Sequence, residues 1–548
     1  MPASRRSRAG FAAVGVVAVA ALLLLSPGLG AARVSEGTSA SPLVPYPSNP
    51  NPFSTGMAAS LVIGQQKFTQ SGGGNSAKNL SRPEAEAFGP NGELWVVDTS
   101  NNRVLGYPAP QASGMAATVA LGQPNLTGHS AGTSPNASNL WEPSGVAVNG
   151  SGDIAVADTI NNRVLLYDCP CTTGMAATVV LGQLTFSTAT LGIPASATDL
   201  ARPVGLAFNA YNDLFVVDRA NNRVLEYVPP FRNGMPATEV LGQATLVTGG
   251  AGLTATNLTN PWAVAIAPSE AVWVADAGNG RVLEFPTPIS SGEAAVIVLG
   301  QTGFTTTGEG LPNGMYAPTG LAFDARGDLW VADGGVPNRV SEFLTPFVNN
   351  QTASVVLGQT SLSGIAFGTS TTLLDSPFAV ALAGSELNGS GTLWAVDTGN
   401  SRVVEFVPPT FPVVFNETGL PSGTTWSVTF GGVLRSTSAT GLTFLAINGS
   451  DGFTAGAVGG YTASPASGTV VVNGTPRPVT IAYTATTVLG LPPWEAWSLL
   501  AILIVVLVAV VALLLARRRR KAPAAPPDPA IIRPAAERAS RRASPSRR

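Results

Sequence analysis

Six times in this chain an aspartate is followed five or six residues later by an arginine. The pairs are Asp98/Arg103, Asp158/Arg163, Asp218/Arg223, Asp276/Arg281, Asp333/Arg339 and Asp397/Arg402, each inside a phrase such as "VDTSNNRVLGY" at 97–107 or "VDTGNSRVVEF" at 396–406. A short carboxylate can accept backbone N–H groups and pin a turn. A guanidinium fork can bond carboxylates or loop carbonyls. Asn101 and Asn102 tolerate the positive φ that a tight turn needs. A catalytic motif is normally needed once, so six copies favour a structural role, and all twelve residues are read as turn residues of the repeat. The chemical alternative is a ring of Asp and Arg around one mouth of a channel, binding an ion or an anion. An extra residue between Asp333 and Arg339 breaks strict symmetry.

Other residues with chemical potential are sparse. His129 is the sole histidine. A Ser-His-Asp triad would have to use it, yet it lies in a Ser/Gly-rich loop and no G-x-S-x-G elbow occurs elsewhere. A metal site at Cys169 and Cys171 needs two more ligands at matching spacing; a local disulfide or two thiols is the simpler expectation. "ARGD" at 325–328 contains an adhesion tripeptide, but earlier copies read "PNGE", "GSGD" and "AYND" there, so it is first a hairpin turn. "GLPSGT" at 419–424 resembles a wall-sorting signal but lies far from the C-terminus. Asn-x-Ser/Thr glycosylation sequons occur at Asn79, Asn125, Asn136, Asn149, Asn257, Asn350, Asn388, Asn416, Asn448 and Asn473, in a chain so rich in Asn, Ser and Thr that many arise by chance.

The elements that must position these groups are short strands. The unit from Glu142 to Gln183 holds four apolar runs, "SGVAV", "DIAVAD", "RVLLY" and "ATVVLG", separated by Gly, Asn and Asp turns. The repeated aspartate recurs every 57–64 residues. Four strands per repeat predicts a propeller blade, which cannot bury both faces alone. A Gly-Gln ending closes at Gln65, Gln123, Gln183, Gln243, Gln301 and Gln359, so the chain starts with a last strand and ends without one. The strand "ASLVIGQ" is therefore expected to complete the sixth blade and remove the exposed sheet edges. The stretch from about 57 to 408 resembles the NHL-repeat family, through "GDLWVADGGVPNRVSEF" and its five relatives. That resemblance implies a six-bladed β-propeller. It leaves function open, because the family includes adhesion, protein-binding, RNA-binding and enzymatic members.

Links between blades are long, as in "QLTFSTATLGIPASATDLARP" from Gln183 to Pro203. Loops of that length are usually functional or disordered, so they are expected to form a raised binding rim. Phe68, Phe186, Phe304 and Trp141 stand in them either as binding residues or as satellite core. Residues 413–486 carry alternating strand-like runs that predict a small membrane-proximal β-sandwich. "FNETGLPSGTTWSVTFGG" with "GGYTASPASGTVVVNG" is similar to a module of archaeal surface proteins, which implies a stalk.

The net charge of −2 hides an asymmetry: residues 517–548 hold 11 Lys+Arg and 2 Asp+Glu, and 34–516 hold 15 Lys+Arg against 30 Asp+Glu. A membrane accounts for this. Residues 1–32 read as a signal peptide, with Arg5, Arg6 and Arg8 before a 15-residue apolar run. Residues 498–516 are long enough to span a bilayer, with Trp494 and Trp497 at the entry and "RRRRK" after. The basic stop predicts an inside tail at 517–548, disordered by composition, and an outside body.

The expectation is thus an all-β, single-pass cell-surface protein whose propeller binds protein or glycan ligands without catalysis. An extracytoplasmic metal-dependent lactonase or lyase is the alternative. The lone histidine speaks against a His-ligated zinc lyase, an activity of some relatives of the repeat family; a calcium site would need only carboxylate and amide ligands. No other cofactor is expected. The acidic body and the absence of a glycine-rich phosphate loop speak against nucleic acid.

Overall fold

Strand pairing in the computed structural model follows the repeat. The described residues are 51–307, 314–383, 391–486 and 493–519. The signal-peptide expectation at 1–32, the sequon at Asn388 and nearly all of the basic tail lie outside them. Six four-stranded antiparallel sheets form the blades. Blade 3 is typical: Pro203–Phe208, Leu214–Asp218, Arg223–Tyr227 and Glu239–Leu241, in sequential order. The first strand of every blade packs against the first strand of the next, and the sixth against the first, so the inner strands surround an axial channel.

The ring closes as expected. Leu61–Ile63 pairs antiparallel with Arg402–Phe406, and its sheet also holds Thr392–Asp397 and Pro377–Ala383. The second and third strands of each blade are apolar on both faces because blades stack on both sides. The buried core accordingly divides into six seams, one between each pair of neighbouring blades. Trp95, Trp273, Trp330 and Trp394 fill four of them. The repeated Gly-Gln glycine has a steric reason. Gly182 sits at φ +80°, and a Cβ there would lie 2.5 Å from Leu200 Cδ1.

A second core follows the propeller. Two four-stranded sheets enclose Phe415, Trp426, Phe430, Phe444, Phe453 and Tyr483. Its first strand, Phe411–Thr418, pairs parallel with its last, Arg477–Ala485. The chain then forms one helix, Pro493–Arg519, within which Glu495–Arg517 is long and apolar enough to cross a membrane. Leu503, Val505 and Leu507 stand exposed along it, which in water would be unfavourable.

Candidate functional site

The six Asp–Arg pairs are internal staples. In blade 3, Asp218 Oδ1 accepts the Ala201 N–H at 2.6 Å, and Oδ2 accepts Asn221 Nδ2 at 2.8 Å and Arg223 Nε at 2.7 Å. Arg223 Nη2 donates to the carbonyls of Ser196 and Asp199, and Nη1 to that of Leu246. One guanidinium thus joins its own blade, the link entering it and the link leaving it. The same Nε–Oδ2 bond is 2.6–2.7 Å in Asp98/Arg103, Asp158/Arg163, Asp276/Arg281 and Asp397/Arg402. In the fifth copy Asp333 accepts the Tyr316 and Ala317 amides, and Arg339 donates to the Leu362 and Gly314 carbonyls.

Three points follow from this geometry. First, the twelve residues stand at the strand ends that flank the turn. Asp98, Asp158, Asp218, Asp276, Asp333 and Asp397 each end a second strand, and Arg103, Arg163, Arg223, Arg281, Arg339 and Arg402 each open a third, paired across the hairpin. Their bonds close the turn and also reach the links. Arg103 donates to the carbonyls of Asn75, Ser76, Asn79 and Leu126, and Arg281 to those of Thr254, Asn257 and Phe304. Each aspartate likewise holds an amide 16–22 residues earlier, in the incoming link. Second, only the second Asn of the turn is left-handed, as at Asn102 (φ 55°), whereas Asn101 donates its side-chain amide to Asp98. Third, the pairs do not ring a channel mouth: Asp98/Arg103, Asp218/Arg223 and Asp276/Arg281 are all 0% exposed. Burial pushes these carboxyls upward, Asp397 to about 6, and the neighbouring arginine pulls them back.

The links are built by the same logic. Three residues after each Gly-Gln stand Phe68, Leu126, Phe186, Leu246, Phe304 and Leu362, whose carbonyls accept the arginine Nη1 groups. All six side chains pack under the rim against the seams, so Phe68, Phe186 and Phe304 are satellite core. Trp141 is half-buried, its amide taken by Asp158. Leu191, Ile193, Val247, Ile365 and Phe367 remain exposed on the links, Phe367 at 70%.

On the axis lies a cavity of about 70 Å³, lined by the first strands of all six blades. Its polar groups are Glu84, Glu86, Ser144 and Thr319; most of the rest is Gly, Ala, Val and Leu. Trp262 and Phe378, from blades 4 and 6, meet edge to face at 4.8 Å beside it. Burial drives the Glu86 carboxyl well above its ordinary range, countered by the Ala381 backbone. Neither Glu86 oxygen, nor Thr319 Oγ1, has a hydrogen-bond partner of normal geometry. Glu84 is also raised by burial, opposed by Ser144 and Arg82, whose guanidinium lies 2.8 Å away.

Above the cavity, on the link face, a different set of charges gathers. Pro203 pairs with Asp218, which places Arg202 and Arg219 side by side just beyond the ladder. Arg219 donates Nε to Asn260 Oδ1 at 2.6 Å and lies 3.8 Å over the Trp262 ring. Its pKa is lowered first by burial and then by Arg202. Arg82 and Glu142 occupy the matching positions in blades 1 and 2. Sequence reading missed this group because it concentrated on what repeats, and these residues are the ones that do not.

The other candidates resolve simply. Cys169 and Cys171 are disulfide-bonded. His129 is exposed, with Nδ1 2.9 Å from Asn75 Nδ2, and forms no triad. Asn149 is buried and its side-chain amide bonds Asn212 and Asp153, so the fold withholds that sequon. Asn79, Asn257, Asn350, Asn416 and Asn448 are half-buried; Asn125, Asn136 and Asn473 are exposed.

Among the described residues one cluster could offer a cation three carboxylates: Asp324, Asp328 and Glu342, at the end of blade 5 remote from the links. Arg326, the arginine of "ARGD", already occupies it, 2.9 Å from Asp324, 3.2 Å from Asp328 and 3.4 Å from Glu342. That contact turns the tripeptide inward. The Asn51 side-chain amide also bonds Glu342. Burial raises Glu342 to about 7 against these partners. A carboxyl raised in the folded state binds more protons folded than unfolded, so stability falls as pH rises from about 4.5 through 7. We expect Glu342→Gln to flatten the pH 5–8 dependence of the unfolding free energy from urea titration by an amount approaching roughly 3 kcal/mol. An unchanged slope would mean the group titrates normally.

Comparison with known proteins agrees at the level of fold. Residues 140–166, most of the first three strands of blade 2, match the NHL repeat family. No curated protein matches the chain significantly. Solved structures with some likeness include a virginiamycin B lyase from Staphylococcus aureus, at 11% identity over 61% of this chain and 97% of that one, TM-score 0.35. A gluconolactonase from Xanthomonas campestris has 14% identity over 64% and 98%, TM-score 0.38. A protein of unknown function from Bacteroides thetaiotaomicron has 13% over 64% and 75%, TM-score 0.42. None of these likenesses is close enough to carry function; the NHL-type propeller rests on the matched repeat and on the six sheets.

Proposed function

We propose that this protein is a membrane-anchored binding module that presents the link face of its propeller to a ligand outside the cell, without catalysis. The observation that carries this reading is the division of labour in the repeat. Its recurring chemistry, the Asp–Arg pairs and the glutamines, is consumed inside the fold, as where Gln183 bonds the Asn162 and Thr190 carbonyls. What the link face leaves exposed is a varied rim of apolar and charged side chains around a small mouth, which is the composition of a recognition surface. The cavity's two carboxylates, Glu84 and Glu86, both come from blade 1, and Glu84 is already paired with Arg82. The basic residues after the helix support an outside propeller, and the sandwich would serve as a stalk.

The test uses the full chain in lipid nanodiscs. Expected is saturable retention on glycan arrays or intact cell envelopes, weakened about tenfold or more by Phe367→Asp combined with Ile193→Asp, at unchanged melting temperature. Calcium-dependent turnover of lactones above background would overturn the reading.

A further inference from the structure

We propose that the link-face mouth of the channel is a binding site for a carboxylate-bearing saccharide, with Arg202 and Arg219 holding the carboxylate and the axial cavity taking a hydroxyl. The inference rests on the reading of the link face as the working face and names the chemistry recognised there.

The repeat supplies its own control. At the position of Arg219 the other blades carry Thr99, Thr159, Ala277, Gly334 and Thr398, all small. At the position of Arg202 they carry Arg82, Glu142, Asn260, Ala317 and Ser376. The fold therefore demands no arginine at either place, and blade 3 alone has one at both. Two adjacent guanidiniums repel: burial first and then Arg202 lower the Arg219 pKa, and Glu84 opposes them. Among the described residues, neither the Arg202 guanidinium nor the terminal nitrogens of Arg219 have a hydrogen-bond partner. Arg219 is nonetheless held still, by Asn260 on one edge and by the Trp262 face beneath. A fixed, half-buried fork with open donors beside a second cation is suited to a planar carboxylate. Preorganisation of this kind lowers the cost of binding.

The cavity beneath gives an independent observation. Glu86 is buried among its lining residues, and both of its oxygens, with Thr319 Oγ1, lack partners of normal geometry. The Ala381 backbone approaches Glu86 without normal hydrogen-bond geometry, and such under-satisfied buried groups are costly unless something meets them. A ligand hydroxyl reaching down from the mouth could hydrogen-bond both Glu86 and Thr319. Anion above and hydroxyl below together describe a sugar acid rather than a bare anion or a neutral sugar.

The test is calorimetric titration of the full chain in nanodiscs with glucuronate, acetate and glucose. Glucuronate should bind, weaken with added salt, and bind more tightly than either acetate or glucose. The Arg202→Gln/Arg219→Gln double variant should lose about tenfold or more in affinity, and Glu142→Gln should gain, since it removes a like charge from the rim. A merely structural arginine pair would predict no gain from Glu142→Gln. Absence of glucuronate binding, or affinity unchanged in the double variant at unchanged melting temperature, overturns the proposal. Should the proposal fail in that way while envelope retention survives in the double variant, the binding-module reading stands without the anion site.

Discussion

Truncating a single staple, Arg223→Ala, is expected to cost about 3–5 kcal/mol, the range for breaking a buried ion pair by removing one partner. Asp218 would remain at 0% exposure with its charge uncompensated, and burial already pushes that carboxyl upward. The carbonyls of Ser196, Asp199 and Leu246 would lose their donor at the same time. Asp218→Ala should cost a similar amount, because it strands the guanidinium and frees the Ala201 amide. The two changes share one network, so the double variant should cost much less than their sum. Urea unfolding followed by tryptophan fluorescence reads this directly, since Trp95, Trp273, Trp330 and Trp394 report from the seams. A loss under about 1 kcal/mol for Arg223→Ala would mean the pair behaves like a surface salt bridge.

The staples also show what could be read in the sequence. Periodicity was legible because six blades solve one packing problem six times. The offset between Gly-Gln and Asp phrases revealed the closing strand for the same reason. The partners of each side chain were not legible. Asp218 accepts from Ala201 and Arg223 reaches Leu246, residues that come together only when links fold back over the blade. The reach of Arg103 and Arg281 was hidden for the same reason: their aspartates stand five residues away in the sequence, but Leu126 and Phe304 stand twenty-three away. The fate of Phe186 was undecidable on related grounds: its carbonyl and its ring are used in opposite directions, one by Arg163 and one by the seam. The mouth was hidden more deeply. Arg202, Arg219 and Glu84 lie in different parts of two repeats, and a search for recurrence passes over residues that occur once. In a repeat protein the shared residues report on the fold, and the departures are where function is to be sought.

The closing strand is where the departures and the shared plan meet. Leu61–Ile63 is three residues long, yet it is the element through which the chain's start completes the last blade. Val62 is buried with Trp330, Val404 and Phe406 in the seam between blades 5 and 6, while Ile63 is buried with Trp394 and Leu94 in the seam between blades 6 and 1. Further ties run from the same segment: Gln65 donates to the Ser401 carbonyl, and Arg402 to that of Phe68. Val62→Asp places an unpaired carboxylate in the first seam, where nothing compensates its lost hydration. We expect more than about 4 kcal/mol of destabilisation. The loss should also be localised. Blade 6 would present an open edge along Arg402–Phe406, so protease cleavage and hydrogen exchange should rise first there and in blades 1 and 5. Uniform loss of protection across all blades would indicate that the ring unfolds as one unit. Unchanged protection of blade 6 would show that the first strand merely decorates a sheet that is stable without it.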